Sequence, residues 1–120
     1  MNSLNARSAK RLVVLVGVLG MFASVVHAQT ILTNGVAVTG ISGTAGSEKF
    51  YQISVPAGQD ELEISTSGGT GDVDLYVRRG SLPTTTSYDY RPYKIGNEET
   101  VTVSNPLAGT WYVMLKGYNA

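Results

Sequence analysis

Three aspartates and a cluster of tyrosines are the side chains whose types and spacing could do chemistry. Asp72 and Asp74 stand two apart in the alternating run Asp72-Val73-Asp74-Leu75-Tyr76-Val77-Arg78. On a strand both carboxylates leave the same face, about 6.6–6.8 Å apart. With Asp89 they offer the hard oxygens that Ca²⁺ takes. The competing reading is structural. Asp72 would cap the glycine turn before it, and Asp74 would sit on a solvated face or pair with an arginine. No EF-hand spacing is present, and Ca²⁺ wants six or more oxygens.

The second set is Tyr88-Asp89-Tyr90-Arg91-Pro92-Tyr93-Lys94, which carries three tyrosines and two cations in seven residues. Tyr88, Tyr90, Arg91 and Tyr93 form a candidate adhesive patch, because tyrosine offers rigid contact area with a hydrogen-bonding tip. Tyr112 and Tyr76 would extend it from a sheet face. Alternatively these rings cover the edge of the core and the cations stack on them. Asp72/Asp74 and Glu61/Glu63 are also carboxylate pairs, but general acid–base catalysis needs a cleft and a perturbed pKa. Carboxylates at i and i+2 on an exposed strand are ordinarily solubility charges, so no catalytic residue is assigned.

Two absences narrow the chemistry further. The chain has no cysteine, and its one histidine, His27, lies near the N-terminus. Arg7, Lys10 and Arg11 make a basic region, residues 12–23 an apolar run, and Val26-His27-Ala28 a cleavage site before Gln29. That is the layout of a secretory signal peptide. The apolar run is shorter than the roughly 20 residues a spanning helix needs. The expected organisation is a leader, residues 1–28, cut between Ala28 and Gln29, then one domain over residues 29–120. The mature chain would be secreted, by way of the periplasm where there is one, with no membrane segment after cleavage. It would hold neither His nor Cys, which removes the Ser-His-Asp triad, the Cys-His dyad and a His-ligated zinc. Three of the nine basic residues go with the leader, so six remain against nine acidic ones, a net charge of −3. With no basic patch, nucleic acid is not an expected partner.

The elements that must position these residues are short strands. The glycine cluster Gly68-Gly69-Thr70-Gly71 turns the chain into the alternating strand Asp72–Arg79, whose Val73, Leu75 and Val77 share one face. Strands are also expected at 35–42, at 48–55, at 60–67 with Leu62, Ile64 and Thr66 inward, at 100–104, and at 110–116 with Trp111, Val113 and Leu115 on one face. On 48–55 both faces carry an aromatic, Phe50 and Tyr51, so the alternation does not choose the core face. Glu98-Glu99 reads as a turn, and 81–99 as the longest irregular segment. No segment after residue 30 has a helical period. Six strands separated by Gly/Pro turns give an antiparallel sandwich or barrel with one modest core.

The blocks Leu32-Thr33-Asn34-Gly35-Val36, Gly46-Ser47-Glu48, Val55-Pro56-Ala57-Gly58, Gly68 to Val77, Arg91-Pro92-Tyr93 with Gly96 to Thr100, and Ala108 to Leu115 follow one another in order. Together they resemble the bacterial pre-peptidase C-terminal domain family over about residues 31–120. The resemblance implies an all-β, antiparallel jelly-roll-like β-sandwich. It implies a non-catalytic secreted module associated with extracellular metallo- or serine peptidases, aiding substrate adhesion, secretion or maturation. Partners would be an extracellular protein or polysaccharide substrate, or a secreted peptidase. Related modules in collagenases bind collagen and calcium, which makes calcium the one candidate cofactor. The alternative is a truncated C-terminal fragment or processed extension of such a peptidase. Members often carry a cysteine pair where this chain has Tyr90 and Val101, a cross-link of about 2–4 kcal/mol forgone here. The family pattern also runs past Gly117-Tyr118 into one more strand. Its lack would leave an open sheet edge or call for a strand supplied by a partner.

Overall fold

The computed structural model describes residues 3–8, 29–92 and 95–119. The chain is an all-β sandwich. Among the described residues eight strands run in order β1 (Ser3–Ser8), β2 (Gln29–Ile31), β3 (Val38–Thr39), β4 (Glu48–Val55), β5 (Glu61–Ser67), β6 (Asp72–Arg79), β7 (Glu99–Ser104) and β8 (Gly109–Asn119). The first sheet has the order β3-β1-β5-β7 and the second β2-β4-β8-β6. All pairings are antiparallel except that of β2 with β4.

Alternation builds the core. Leu62, Ile64, Val101 and Val103 of the first sheet meet Tyr51, Ile53, Val55, Val73, Leu75, Val77, Trp111, Val113 and Leu115 of the second in one buried cluster. Every apolar inward position read from the period is there, and Thr66, also read as inward, is buried. The ambiguity on β4 resolves in a physical way, since both of its faces are covered. Tyr51 enters the main core, while Phe50 joins a second buried cluster with Tyr76 and Met114 on the outer side of the second sheet, under Leu82 and Tyr88. Gly68, Gly69 and Gly71 all have positive φ, between 75° and 89°, so the turn into β6 uses the conformation glycine makes cheap.

Three local expectations are corrected. The strand expected over 35–42 contracts to the two residues of β3, its alternation being weak and interrupted by glycine. Gln29–Ile31, where no strand was expected, forms β2, held where Leu32 enters the core and its N–H donates to Gln52 O at 2.7 Å. Glu99 is not in a turn: it opens β7 and is 1% exposed. Its carboxylate Oε2 accepts the Leu75 N–H at 2.7 Å, joining the two sheets.

β1 falls within the stretch that reads as a leader. It lies between β3 and β5, with Leu4 fully buried. The whole apolar run and Val26-His27-Ala28 lie outside the described residues. Among the described residues no helix is long and apolar enough to cross a membrane.

Candidate functional site

The outer face of the second sheet gathers most of the candidate side chains. Antiparallel register aligns its outward residues in rows across β4, β8 and β6. One row is Glu48, Lys116 and Asp74; the next is Phe50, Met114 and Tyr76; the third is Gln52, Tyr112 and Arg78. The middle row is the buried apolar cluster. The third row is polar and half-buried. In the first, Lys116 donates to Glu48 at 3.3 Å.

Residues 81–92 and 95–98 run back along the free edge of β6 and explain where the aspartates go. The N–H groups of alternate β6 residues face this edge and need acceptors. Val73 N–H donates to Gly96 O, Leu75 N–H to the Glu99 carboxylate, Val77 N–H to Tyr90 O, and Arg79 N–H to Asp89 Oδ2 at 2.9 Å. Two carboxylates thus stand in for a neighbouring strand and close an edge that would otherwise invite pairing. Asp72 Oδ1 accepts the Gly96 N–H at 3.0 Å, anchoring the same segment from the other side.

Asp74 pairs with Arg91 at 3.1 Å, and both are largely buried. The Arg91 guanidinium also lies 4.8 Å from the centre of the Tyr76 ring. A cation between a carboxylate and an aromatic face is well compensated for its loss of water.

The structure therefore distributes the sequence candidates. Asp72, Asp74 and Asp89 each accept a protein donor, and among the described residues no group of three acidic or histidine side chains is placed to hold a metal ion. Tyr88 packs on Tyr76, with ring centres 5.5 Å apart, and covers the outer cluster. Tyr90 stacks on Trp111 of the inner core at 6.2 Å, so these two tyrosines serve different clusters. Tyr112 sits in the polar row. Tyr93 and Lys94 lie outside the described residues.

Arg78 and Gln52 were missed by reading the sequence. The signal was available for Arg78, which alternates with Val73, Leu75 and Val77 on a strand whose core face was assigned; for Gln52 it was not, because the pattern of 48–55 chose no core face. What was not available was the register that sets them beside Tyr112. Burial pushes the Tyr51 hydroxyl above the ordinary tyrosine range; it is a core group and no part of this face.

Comparison with known proteins adds the context. A family model described as the bacterial pre-peptidase C-terminal domain matches residues 47–117. The chain is similar to alkaline serine exoprotease A of Vibrio alginolyticus, 48% identical over 73% of this chain and 16% of that protein. It is 47% identical to a zinc metalloprotease of Helicobacter pylori, over 74% of this chain and 34% of that one. The hemagglutinin/proteinase of Vibrio cholerae is also 47% identical over 74% of this chain, and 14% of its own length is covered. A solution structure of vEP C-ter 100 superposes with a TM-score of 0.52 at 48% identity, covering 64% of this chain and 75% of that one. The chain thus spans about a third or less of the curated relatives it matches.

Proposed function

Because the chain belongs to the bacterial pre-peptidase C-terminal domain family, we propose that it is a non-catalytic module of an extracellular peptidase system. In this reading it holds an extracellular protein or polysaccharide substrate on the outer face of its second sheet. The observation that carries it is the family match at 47–117, with relatives that are serine and metallo-proteases. The composition supports the non-catalytic part. Past residue 28 there is neither histidine nor cysteine to build the common hydrolytic machinery.

The contact surface proposed is the row Gln52, Tyr112, Arg78, with Tyr88 over the adjacent row and Tyr90, 38% exposed, beside Val77 at the edge of β6. An aromatic ring flanked by an amide and a guanidinium offers stacking area together with donors and acceptors, which suits peptide backbone and sugar hydroxyls alike. The phenol and guanidinium stand on strands, so little ordering entropy is lost on contact.

The test is sedimentation of the full chain with insoluble collagen, casein or cellulose, against Tyr112→Ala and Tyr90→Ala. Retention on one of these substrates, reduced at least fivefold by Tyr112→Ala, is expected. Equal retention of both variants and wild type would remove the surface. Peptidase activity that copurifies with the chain and survives further purification would overturn the non-catalytic reading. The second reading is a processed extension that assists maturation of a peptidase, favoured by the small share of each relative that the chain matches. A chain that retains no substrate but raises the yield of a coexpressed secreted peptidase would support that one.

A further inference from the structure

The place of β1 in the first sheet has a consequence for the exported protein. Six residues of β1 pair with β5, from Ser3 opposite Ser67 to Ser8 opposite Leu62, and its start pairs with β3. Leu4 is fully buried in the main core, and the Ser3 hydroxyl lies 2.8 Å from that of Ser67. β1 is thus an interior strand of its sheet, yet it is drawn from the stretch whose basic region, apolar run and Val26-His27-Ala28 site read as a leader. Cleavage before Gln29 takes it away. β3 then loses its partner in the sheet, and β5 becomes an edge with its backbone groups unpaired. Leu62 and Ile64, both fully buried in the intact chain, lose the strand beside them. A two-stranded remnant of β5 and β7 is marginal without a third strand. An edge of this length with alternating apolar residues is a template for pairing.

We infer that the cleaved chain is a strand acceptor: the slot between β3 and β5 takes an extended, cationic segment of a partner polypeptide, antiparallel to β5. The slot states the chemistry of its occupant. Opposite Thr66, where Leu4 sits fully buried, it takes an apolar side chain. On its other face β5 presents two carboxylates along this edge, Glu61 and Glu63, both half-buried. Opposite charges across a strand pair attract, and like charges repel. A second copy is a poorer occupant, because it would bring the same acidic β5 and a net charge of −3 to an acidic edge. Backbone hydrogen bonds supply affinity in this mode, and alternate side-chain sites supply selectivity. The inference rests on loss of the leader, not on the substrate face of the opposite sheet, so either can fail alone.

The test uses the full chain with a site-specific protease sequence inserted between residues 10 and 27. The chain is folded, cut, and freed of its N-terminal fragment in mild urea. It is then offered a labelled synthetic peptide with the sequence of residues 2–9. Saturable binding at one peptide per chain is expected, with recovery of the near-ultraviolet signal of Trp111. The same peptide with Leu4→Asp or Ala6→Pro should bind at least tenfold more weakly; proline removes a backbone donor. An Arg7→Glu peptide should lose several-fold, less so at high salt. Absence of binding by the unaltered peptide, or equal binding of the proline peptide, would overturn the inference. So would a cut chain that dimerises and excludes the peptide. N-terminal sequencing of the exported protein is the independent check. A start at Gln29 is expected, and a start at Met1 would mean that the slot is never vacated.

Discussion

Tyr51 is a phenol in the wrong solvent, and replacing it with phenylalanine should stabilise the protein. The side chain is fully buried on β4, in the cluster between the sheets, and its hydroxyl has no hydrogen-bond partner among the described residues. Leaving a buried hydroxyl unpaired costs about 1–3 kcal/mol relative to water. Tyr51→Phe removes that oxygen and leaves the ring's burial intact. Some packing contacts of the oxygen are lost, so the gain is set at the low end, about 1 kcal/mol. For a domain of this size that raises Tm by roughly 4–8 °C. The assay is thermal and urea unfolding of wild type and variant at pH 7.

The same residue predicts a pH dependence with a definite sign. Burial raises the pKa of Tyr51 in the folded state above its unfolded value of about 10. Above that pH the unfolded chain releases the proton while the folded chain keeps it. The unfolded state then binds fewer protons, and stability falls as pH rises. Below the unfolded pKa the contribution is fully present. At pH 11 the extra loss is about 1.4 kcal/mol in wild type and absent in Tyr51→Phe. The advantage of the variant should therefore grow from about 1 to about 2.4 kcal/mol between pH 7 and pH 11. A variant less stable than wild type by 1 kcal/mol or more at pH 7 would refute the argument, since it would mean that the hydroxyl is paired. An advantage that stays flat to pH 11 would refute the pKa part alone.

Two further outcomes follow from single contacts. At Gly117 the backbone lies against the 43–47 turn, and an added Cβ would meet Thr44 O at 2.5 Å. Gly117→Ala should therefore destabilise by about 1–3 kcal/mol, read by the same melts; an unchanged Tm would show that the turn gives way freely. Millimolar calcium should leave Tm unchanged, because Asp72, Asp74 and Asp89 each hold a protein donor. A site with a Kd near 10 μM would add about 2.7 kcal/mol at 1 mM, a shift of roughly 10 °C or more, which would contradict this.

The sequence is most informative where one strand face is apolar and the other is not. β5, β6 and β8 were legible because Leu62/Ile64, Val73/Leu75/Val77 and Trp111/Val113/Leu115 alternate without interruption. Period-2 patterning stops being informative when both faces are covered. Phe50 and Tyr51 gave opposite votes on β4 because each enters a different cluster. Asp74 and Tyr76 lie on the outward face of β6, yet they are buried beneath a segment with no regular structure. The pairing of Asp74 with Arg91 spans 17 residues and depends on where that segment lies, which local pattern does not encode. Glu99 looked like a turn residue because burying a carboxylate is costly. Only the edge N–H of Leu75, on a strand 24 residues earlier, makes the position favourable. The row of Gln52, Tyr112 and Arg78 was hidden for a related reason, since register across three strands is a long-range property.

The two sheets deal with their exposed backbone in opposite ways, and the contrast bears on function. On β6 the edge is closed from within the domain, by residues 81–92 and 95–98 and the carboxylates of Asp89 and Glu99. These acceptors carry no pairing template of their own, so the outer face beside them is left free for a ligand without risk of strand addition. On β5 the neighbouring position is filled by a strand from the far N-terminus, joined through a stretch with a leader's composition. An edge meant to stay closed would be expected to resemble β6, with charges turned inward along it. β5 instead alternates Leu62, Ile64 and Thr66 toward the core, with Glu61 and Glu63 between them, which suits a strand that can be exchanged. Disabling the two edges should therefore have different consequences. Asp89→Ala should hand the Arg79 N–H to water and cost about 0.5–1.5 kcal/mol without changing the oligomeric state. Leu4→Asp in the full chain should release β1 from the first sheet and raise self-association, seen by light scattering. If both variants aggregate alike, the distinction between a sealed edge and an exchangeable one is lost.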